Sequence, residues 1–424
     1  MVLSLGLAPL ATSRSATIGR RAVLTAPAVA LVGVLAAIDL YRLALLVAAS
    51  RADASPAAPP PGEPLRFVVL VPAHDEEASI GATLTALVTL DYPRDRREIV
   101  VVADNCSDRT AEIARAAGVT VLERVDVGQR GKGHALNWAL ERLSTFGDAD
   151  AVAFVDADCV PTPNLLRAAD ARMRAGAAAL QTDYVVANPE ASTTSALRYA
   201  GFVLMNRVRA LGRCQLGLSA GLVGTGMVFR RRVIEQLRFD PASLIEDAEL
   251  HLRLVEMGER VDFVPEAAVA SAMPTTAANA TAQVRRWEGG RVNLWRRWLR
   301  AAVSPRTVRR NAVLSATILD EAIPPQALLG VLHVAGTGLA LASGRGTLRR
   351  FAAVEAGAQA VFVLGGLMLT RAPRAVYRAL FAAPLLMAQK IGLFAHLAVR
   401  GAPTEWERTA RLEPSVAGRA GDRT

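Results

Sequence analysis

The sequence predicts an α/β domain on a doubly wound, mostly parallel sheet, flanked on both sides by transmembrane α-helices. Three observations lead there. Strand-like apolar runs alternate with helical patterns from residue 65 to about 160, the signature of parallel strands joined by crossover helices. Long apolar stretches precede and follow that region. Acidic residues collect just past the C-terminal ends of the strands, where open α/β sheets bind ligands.

Composition agrees. The 424 residues are enough for two or three domains. With 52% hydrophobic and 21% charged residues and a mean hydropathy of +0.26, the chain is not intrinsically disordered, and part of it belongs in lipid. The net charge of +10 does not indicate nucleic acid: only Lys132 and Lys390 are lysines, and aromatics make up 5%, too few for base-stacking platforms. A basic protein facing an anionic leaflet accounts for the same sum. Cys106, Cys159 and Cys214 have no paired spacing, which argues for a reducing compartment and against a disulfide framework or structural zinc.

Taken in order, residues 1–21 are an N-terminal tail and residues 22–50 a transmembrane anchor, interrupted by Asp39 and Arg42. A cleaved signal peptide competes, but the apolar stretch is too long and lacks a cleavage site. The proline-rich linker at 51–64 favours an extended spacer. Within the domain at 65–310, strands are expected at Arg66–Val71, Glu98–Ala103, Val119–Glu123 and Ala151–Val155, with helices at Glu77–Leu90, Asp108–Ala117 and Gly131–Ser144. Residues 311–325, broken by Asp320, Glu321, Pro324 and Pro325, read as an interfacial or re-entrant helix. A C-terminal membrane bundle of about three spans is expected over 326–400, at Gln326–Ser343, Phe351–Thr370 and Val376–Val399, before a tail at 401–424.

The carboxylates point to chemistry. Asp75, Glu76 and Glu77 follow the first strand, Asp104 the second, and Asp156 and Asp158 the fourth. Like charges gathered in a crevice are costly without a cation or donors between them. Asp156 and Asp158 in FVDADC suit one hard divalent cation, Mg2+ or Mn2+, since the ligands are oxygens and one adjacent thiol, Cys159, does not make a zinc site. A solvated loop is the ordinary reading of D-x-D alone. Such a cation in turn suits a phosphate-bearing substrate. The GQRGKGHA segment lacks the P-loop spacing, so Lys132 is either a point charge for a phosphate or the start of a helix.

Further on, SLIEDAELHLRLVEMG reads as a helix opened by a capping box of Ser243 and Glu246 and closed by Gly258. Capping accounts for Glu246 better than for Asp247, which as a first-turn carboxylate suits a general base. Gly224, Thr225 and Gly226 in GLVGTGMVFR allow close backbone approach or simply a turn into a strand. Between Arg285 and Arg310 lie nine arginines, one acid (Glu288) and Trp287, Trp295 and Trp298. That stretch fits an interfacial amphipathic helix with tryptophans at headgroup level, its first two turns in the active site.

The ordered strings VPAHDEE, VVADNCSDRT, GKGHALNWAL, FVDADC, GTGMVFR, IEDAEL and QVRRW together resemble a membrane-bound, inverting family 2 glycosyltransferase of the GT-A fold, similar to cellulose, chitin and hyaluronan synthases and to ceramide glucosyltransferases. The resemblance covers about Phe67 to Trp298 and the spans; WERT, at Trp406 to Thr409, is similar to a W-x-[KR]-T string found after the last span. It implies that Pro72, Ala73, His74 and Glu76 line a nucleotide pocket, that Asp104 holds base or ribose, and that Lys132 and Asp156 sit on the donor side. It also implies Asp158, with Asp156, as ligand of a Mg2+ or Mn2+ ion on the diphosphate. Asp247, beside Glu246, becomes the base. Gln283, Arg286 and Trp287 match Q-x-x-R-W, the arginine on the diphosphate and the tryptophan, with Gly224, Thr225 and Gly226, on the acceptor. His74 stands where asparagine is common, and Ile245 replaces the threonine of T-E-D. The implied partners are a nucleotide-diphosphate sugar, a saccharide or lipid acceptor and the bilayer, with no nucleic acid. The implied location is a bacterial cytoplasmic membrane with the catalytic domain in the cytoplasm. The small bundle favours a single transfer or a short polymer. A processive synthase, a sugar nucleotidyltransferase and a non-catalytic membrane scaffold are the alternatives.

Overall fold

The structure is a computed structural model describing residues 12–384 except 53–59, 143, 145, 146, 242, 244 and 276, and beyond them 387, 388 and 392. Side chains of 12–23, 277–288 and 292 lie outside the description.

Helix α1, Thr12–Ser50, contains a candidate membrane span at Leu24–Ser50. Ala28, Val32, Leu35, Asp39, Arg42, Leu45 and Ala49 are all buried, a helical stripe with a three-to-four-residue repeat that faces the protein while the rest of the helix is left for lipid. The two charges expected to interrupt the span lie on that inward stripe and pair with each other, Arg42 Nη1 to Asp39 Oδ1 at 3.2 Å.

The α/β domain follows as β1 (Phe67–Ala73), α2 (Ile80–Val88), β2 (Arg97–Asp104), α3 (Thr110–Ala116), β3 (Thr120–Arg124), α4 (Lys132–Leu140) and β4 (Ala151–Phe154). These elements match the expected ones in type and order. The helices start later than expected because capping turns precede them; Glu76, for instance, accepts at its carbonyl from the amides of Ser79 and Ile80. Next come β5 (Cys159–Pro161), α5 (Leu165–Arg174), β6 (Ala179–Val186), α6 (Thr193–Phe202), a π-helical stretch at Val203–Arg209, α7 (Ala210–Gln215), β7 (Met227–Arg230), α8 (Arg231–Gln236), α9 (Glu246–Glu256) and β8 (Val261–Ser271). One sheet runs in the order β3-β2-β1-β4-β7-β6-β8-β5. Its first four strands are parallel, as expected. The other half is mixed, since β7 runs antiparallel to both β4 and β6, and β5 runs antiparallel to β8. Apolar side chains from the two faces form separate cores, one holding Val68, Leu70 and Phe154, the other Val69, Val71 and Val155. A strand buried on both faces reads as a continuous apolar run, which is why these strands were legible.

The capping box expected of Ser243 and Glu246 does not form. Ile245 is the N-cap of α9, so Glu246 is the first helical residue rather than the third, and the Ser243 hydroxyl accepts from the Ile245 amide at 3.3 Å. Gly258, at φ +90, closes the helix as expected.

The chain continues with α10 (Ala277–Ala302), α11 (Pro305–Arg310), α12 (Ala312–Glu321), α13 (Gln326–Ala342), α14 (Gly346–Leu369) and α15 (Arg374–Ala379). Helix α14 is long and apolar enough to cross a membrane; α12 and α13 meet at 76° and together make a broken span or re-entrant loop. Half of the span expected at Val376–Val399, with Gln389 and Lys390, and the whole of Trp406–Thr409 lie outside the described residues. Trp295 and Trp298 are tied into the protein. Their indole N–H groups donate to the Glu321 carbonyl (2.9 Å) and to Glu249 Oε1 (3.1 Å), which ties α10 to α12 and α9. Gly212 of α7 approaches α1 so closely that a Cβ there would come within 2.8 Å of the Leu45 Cα.

Candidate active site

Pro72 and Ala73 end β1, in register with Val102 and Ala103 of β2. Asp75 and Asn105, just past these strands, both have φ near +51, a left-handed conformation that is costly outside glycine and frequent at functional sites. The His74 ring approaches the Asp104 carbonyl through Nδ1 at 2.7 Å. Glu76 accepts from the Ser79 hydroxyl at 2.7 Å, and its amide donates to Thr110 at 2.7 Å. Asp104 is buried and held by Arg124 at 2.6 Å and by the Asn105 side-chain amide at 3.0 Å. Arg124 escaped the sequence analysis, although β2 and β3 run in register and place it directly opposite Asp104.

Asp156 and Asp158 follow β4. Oxygens of both, with the Cys159 sulfur, lie within 4.8 Å of one another, close enough to hold one cation. Burial and the adjacent Asp156 raise the Asp158 pKa, and a cation between the two would relieve both costs. Burial pushes the Cys159 thiol well above its usual range, so it stays protonated and the site is one of hard oxygens. Residues and cation chemistry therefore fit.

Lys132, the first residue of α4, donates to Asp156 Oδ1 at 2.5 Å and to the Gly224 carbonyl at 2.7 Å. Burial alone would lower its pKa, but Asp156, Glu246 and Asp247 raise it, so the ammonium stays charged. Gly224, at φ +86, is where the two halves of the site meet. A Cβ built there would lie 3.4 Å from Asp247 Oδ2 and 3.8 Å from Lys132 Nζ. Asp247, in the first turn of α9 as expected, accepts from the Ala248 amide at 2.9 Å. Burial, then the neighbouring Glu246, pushes its carboxyl up to about 7.

Of the residues expected to meet an acceptor, Thr225 turns inward instead. It is buried, its hydroxyl accepts from the Asp156 amide at 3.1 Å, and its carbonyl accepts from Gln181 at 2.8 Å. Gly226 donates to the Phe154 carbonyl at 2.8 Å and so pins the loop to β4. Gln181, a buried amide in β6, also escaped notice; it accepts from the Val223 amide at 3.0 Å. Gln283, Arg286 and Trp287 fall on α10, and their side chains lie outside the description. Glu249 of α9 holds α10 through Arg297 at 3.2 Å.

A second buried network, also unforeseen, joins α9 to the bilayer side. His251 lies one turn after Asp247. Ser219 accepts from the Val261 amide at 3.0 Å and lies 2.8 Å from His251 Nε2, while His251 Nδ1 is 3.7 Å from Glu321. Burial keeps this imidazole neutral. Arg209 pairs with Asp320 (3.0 Å) and Glu321 (2.9 Å), and Arg213 pairs with Asp320 at 3.1 Å. Tyr41 of α1 donates to Asp320 at 2.9 Å and accepts from Arg213 at 2.8 Å.

A family model described as "Glycosyltransferase like family 2" matches residues 64–290, more than half of the chain. A probable glycosyltransferase of Bacillus subtilis, YdaM, is 32% identical over 235 residues, which cover 52% of this chain and 54% of that protein. The β-monoglucosyldiacylglycerol synthase of Synechocystis is 28% identical over 275 residues, 63% of this chain and 56% of that protein. The chain thus spans about half the length of the curated relatives it matches. Among solved structures, a mannosyltransferase of Pyrobaculum calidifontis in complex with GDP-Man and Mn2+ aligns with a TM-score of 0.49 at 20% identity, over 83% of this chain and 98% of that one.

Proposed function

The chain belongs to the glycosyltransferase-like family 2, and from that premise we propose that it transfers a sugar from a nucleotide-diphosphate sugar to a hydroxyl of a membrane-proximal acceptor, with inversion at the anomeric carbon. One observation carries the reading. Asp247, with its carboxyl pushed up to about 7, faces Lys132 and the Asp156 side across Gly224, a residue without a side chain to fill the gap.

A base with a pKa near the working pH can take a proton from a hydroxyl and still ionise readily. Asp247 removes the acceptor proton as its oxygen attacks the anomeric carbon from the face opposite the departing diphosphate. Glu246 keeps Asp247 basic. Lys132 places a half-buried positive charge beside the diphosphate. Arg286 adds a second charge from α10, where Gln283 and Trp287 meet the acceptor, and Gly224 and Gly226 shape the loop beneath it. Pro72, Ala73, His74, Glu76 and Asp104 bind the nucleoside at the β1–β2 edge. Asp156 and Asp158 would hold a Mg2+ or Mn2+ ion, which would supply charge neutralisation to the leaving group.

The Synechocystis relative is named as making a glycolipid, and two helices here are long and apolar enough to cross a membrane. Both support a lipid acceptor; a single transfer, with the catalytic domain on the cytoplasmic side, completes the proposal. The deciding experiment is a sugar-nucleotide panel with Mg2+ or Mn2+, following donor binding by thermal shift and product by mass spectrometry. A glycosylated lipid with release of nucleoside diphosphate is expected; release of inorganic pyrophosphate would overturn the reading in favour of nucleotidyl transfer.

A further inference from the structure

The second half of α10 divides into two faces. Leu294, Trp298 and Ala302 recur at four-residue spacing and turn inward: Leu294 and Ala302 are buried, and the Trp298 indole is bonded to Glu249. Arg296, Leu299, Arg300 and Val303 follow the complementary helical spacing and are all exposed, Leu299 by 44% and Val303 by 68%. Cations and apolar side chains therefore share the outside. Helix α11 carries the same mixture, with Arg306, Arg309 and Arg310 exposed and Val308 exposed by 47%.

The charge on this face is not balanced from within. From 289 to 319 the sequence holds seven arginines and no acid. Arg297 pairs with Asp240 at 3.5 Å and Glu249 at 3.2 Å, and Arg291 donates to the Met205 sulfur at 3.6 Å. The other five, Arg296, Arg300, Arg306, Arg309 and Arg310, form no ion pair or hydrogen bond with any described residue. Arg296 and Arg300, like Arg306 and Arg310, stand four apart along the chain, a like-charge spacing that destabilises a helix unless an anion lies between.

Its place in the fold says where that anion comes from. Asn311 closes α11 and caps α12, and its side-chain amide donates to the Val255 carbonyl at 2.6 Å, which fixes the junction against the end of α9. Beyond it, α12 turns Ser315, Thr317 and Asp320 inward and leaves Ala312 and Leu319 exposed. The outer surface thus changes from cationic to apolar where the broken span of α12 and α13 begins. Cations bordering an apolar, lipid-facing surface mark the depth of headgroups.

We propose that the outer face of α10 and α11 docks the anionic headgroups of phospholipids in the leaflet beside the α/β domain, with Leu299, Val303 and Val308 entering the lipid between them. Charge and shape favour this partner over a nucleic acid. Guanidinium groups meet a phosphate in two-point contacts while their methylene stems lie along apolar surface. Apolar side chains standing between the cations gain from acyl chains and gain nothing from a phosphodiester backbone. The docking asks only for negative charge at the membrane surface, so it is independent of donor, acceptor and sugar transfer.

The test uses the full-length protein, reconstituted with equal amounts of phosphatidylglycerol and phosphatidylcholine and released into detergent, with retained lipid counted by native mass spectrometry. The parent is expected to retain phosphatidylglycerol in preference, and less of it as salt rises. Arg296→Gln combined with Arg300→Gln should weaken that retention about 25-fold, since each arginine near an anionic surface is worth about five-fold. The same charge loss from Arg94→Gln combined with Arg115→Gln, two exposed arginines beside β2 and β3, should change it little. Val303→Trp should add fluorescence that phosphatidylglycerol brominated near the headgroup end of its acyl chains quenches. No preference for phosphatidylglycerol in the parent, unchanged retention in the α10 pair, an equal loss in the control pair, or unquenched emission in Val303→Trp overturns the proposal. So does retention of an oligonucleotide ahead of phosphatidylglycerol.

Discussion

Lys132 sits 2.5 Å from Asp156 and 2.7 Å from the Gly224 carbonyl, so one ammonium joins the paired aspartates to the loop facing Asp247. Removing it withdraws the charge that lowers the Asp247 pKa and leaves Asp156 uncompensated. Lys132→Ala is expected to cut transfer about ten- to hundred-fold, by analogy with a lost charge-assisted contact to the leaving group, and to move the acid limb of the rate profile upward. Steady-state rates across a pH series check both.

Asp247→Asn keeps shape and removes basicity. Nucleotide binding by calorimetry should persist while transfer falls by about 10²- to 10⁴-fold, the usual worth of a general base. A variant as active as the parent would remove Asp247 from the role.

The pH dependence follows from the same carboxyl. A base works deprotonated, so the transfer rate should rise with pH through about 7 and fade below it. Because Glu246 is the second cause of the upward shift after burial, Glu246→Gln should move that limb to lower pH. A limb that stays in place would assign the titration to another group.

Asp158→Ala should abolish the Mn2+-dependent part of nucleotide binding, seen as loss of the thermal shift that Mn2+ adds to nucleotide alone. Chelation of the parent protein should reproduce the effect. Nucleotide binding indifferent to Mn2+ in both proteins would remove the cation from the mechanism.

Asp320 is almost wholly buried and faces Arg209, Arg213 and Tyr41. Asp320→Ala leaves Arg213 without its carboxylate and Arg209 with Glu321 alone, and a loss of about 3–5 kcal/mol is expected, the typical cost of opening a buried ion pair from one side. Thermal unfolding in a fixed detergent reads it.

Local patterns revealed the parallel half of the sheet because β1, β2 and β4 are buried on both faces and read as unbroken apolar runs. They singled out Asp104, Asp156, Asp158 and Asp247 as candidates because a carboxylate at a strand or helix end is conspicuous. What stayed hidden depended on pairing between distant segments. Asp320 and Glu321 looked like helix breakers, yet they are the partners of Arg209 and Arg213, about a hundred residues away, and the residue order does not encode that meeting. Asp39 and Arg42 looked like flaws in a span until their shared inward face was seen. Thr225 lay in the expected loop, but only its rotation decides that it braces Asp156.

The elbow between α12 and α13 also bears on how the enzyme is best prepared. A water-soluble fragment ending near residue 310 would retain Arg209, Arg213 and His251 and discard Thr317, Asp320 and Glu321, exposing a cationic hole directly behind the helix that carries Asp247. Excision at that point removes the back wall of the catalytic half, so weak turnover by such a fragment would report surgical damage rather than poor chemistry.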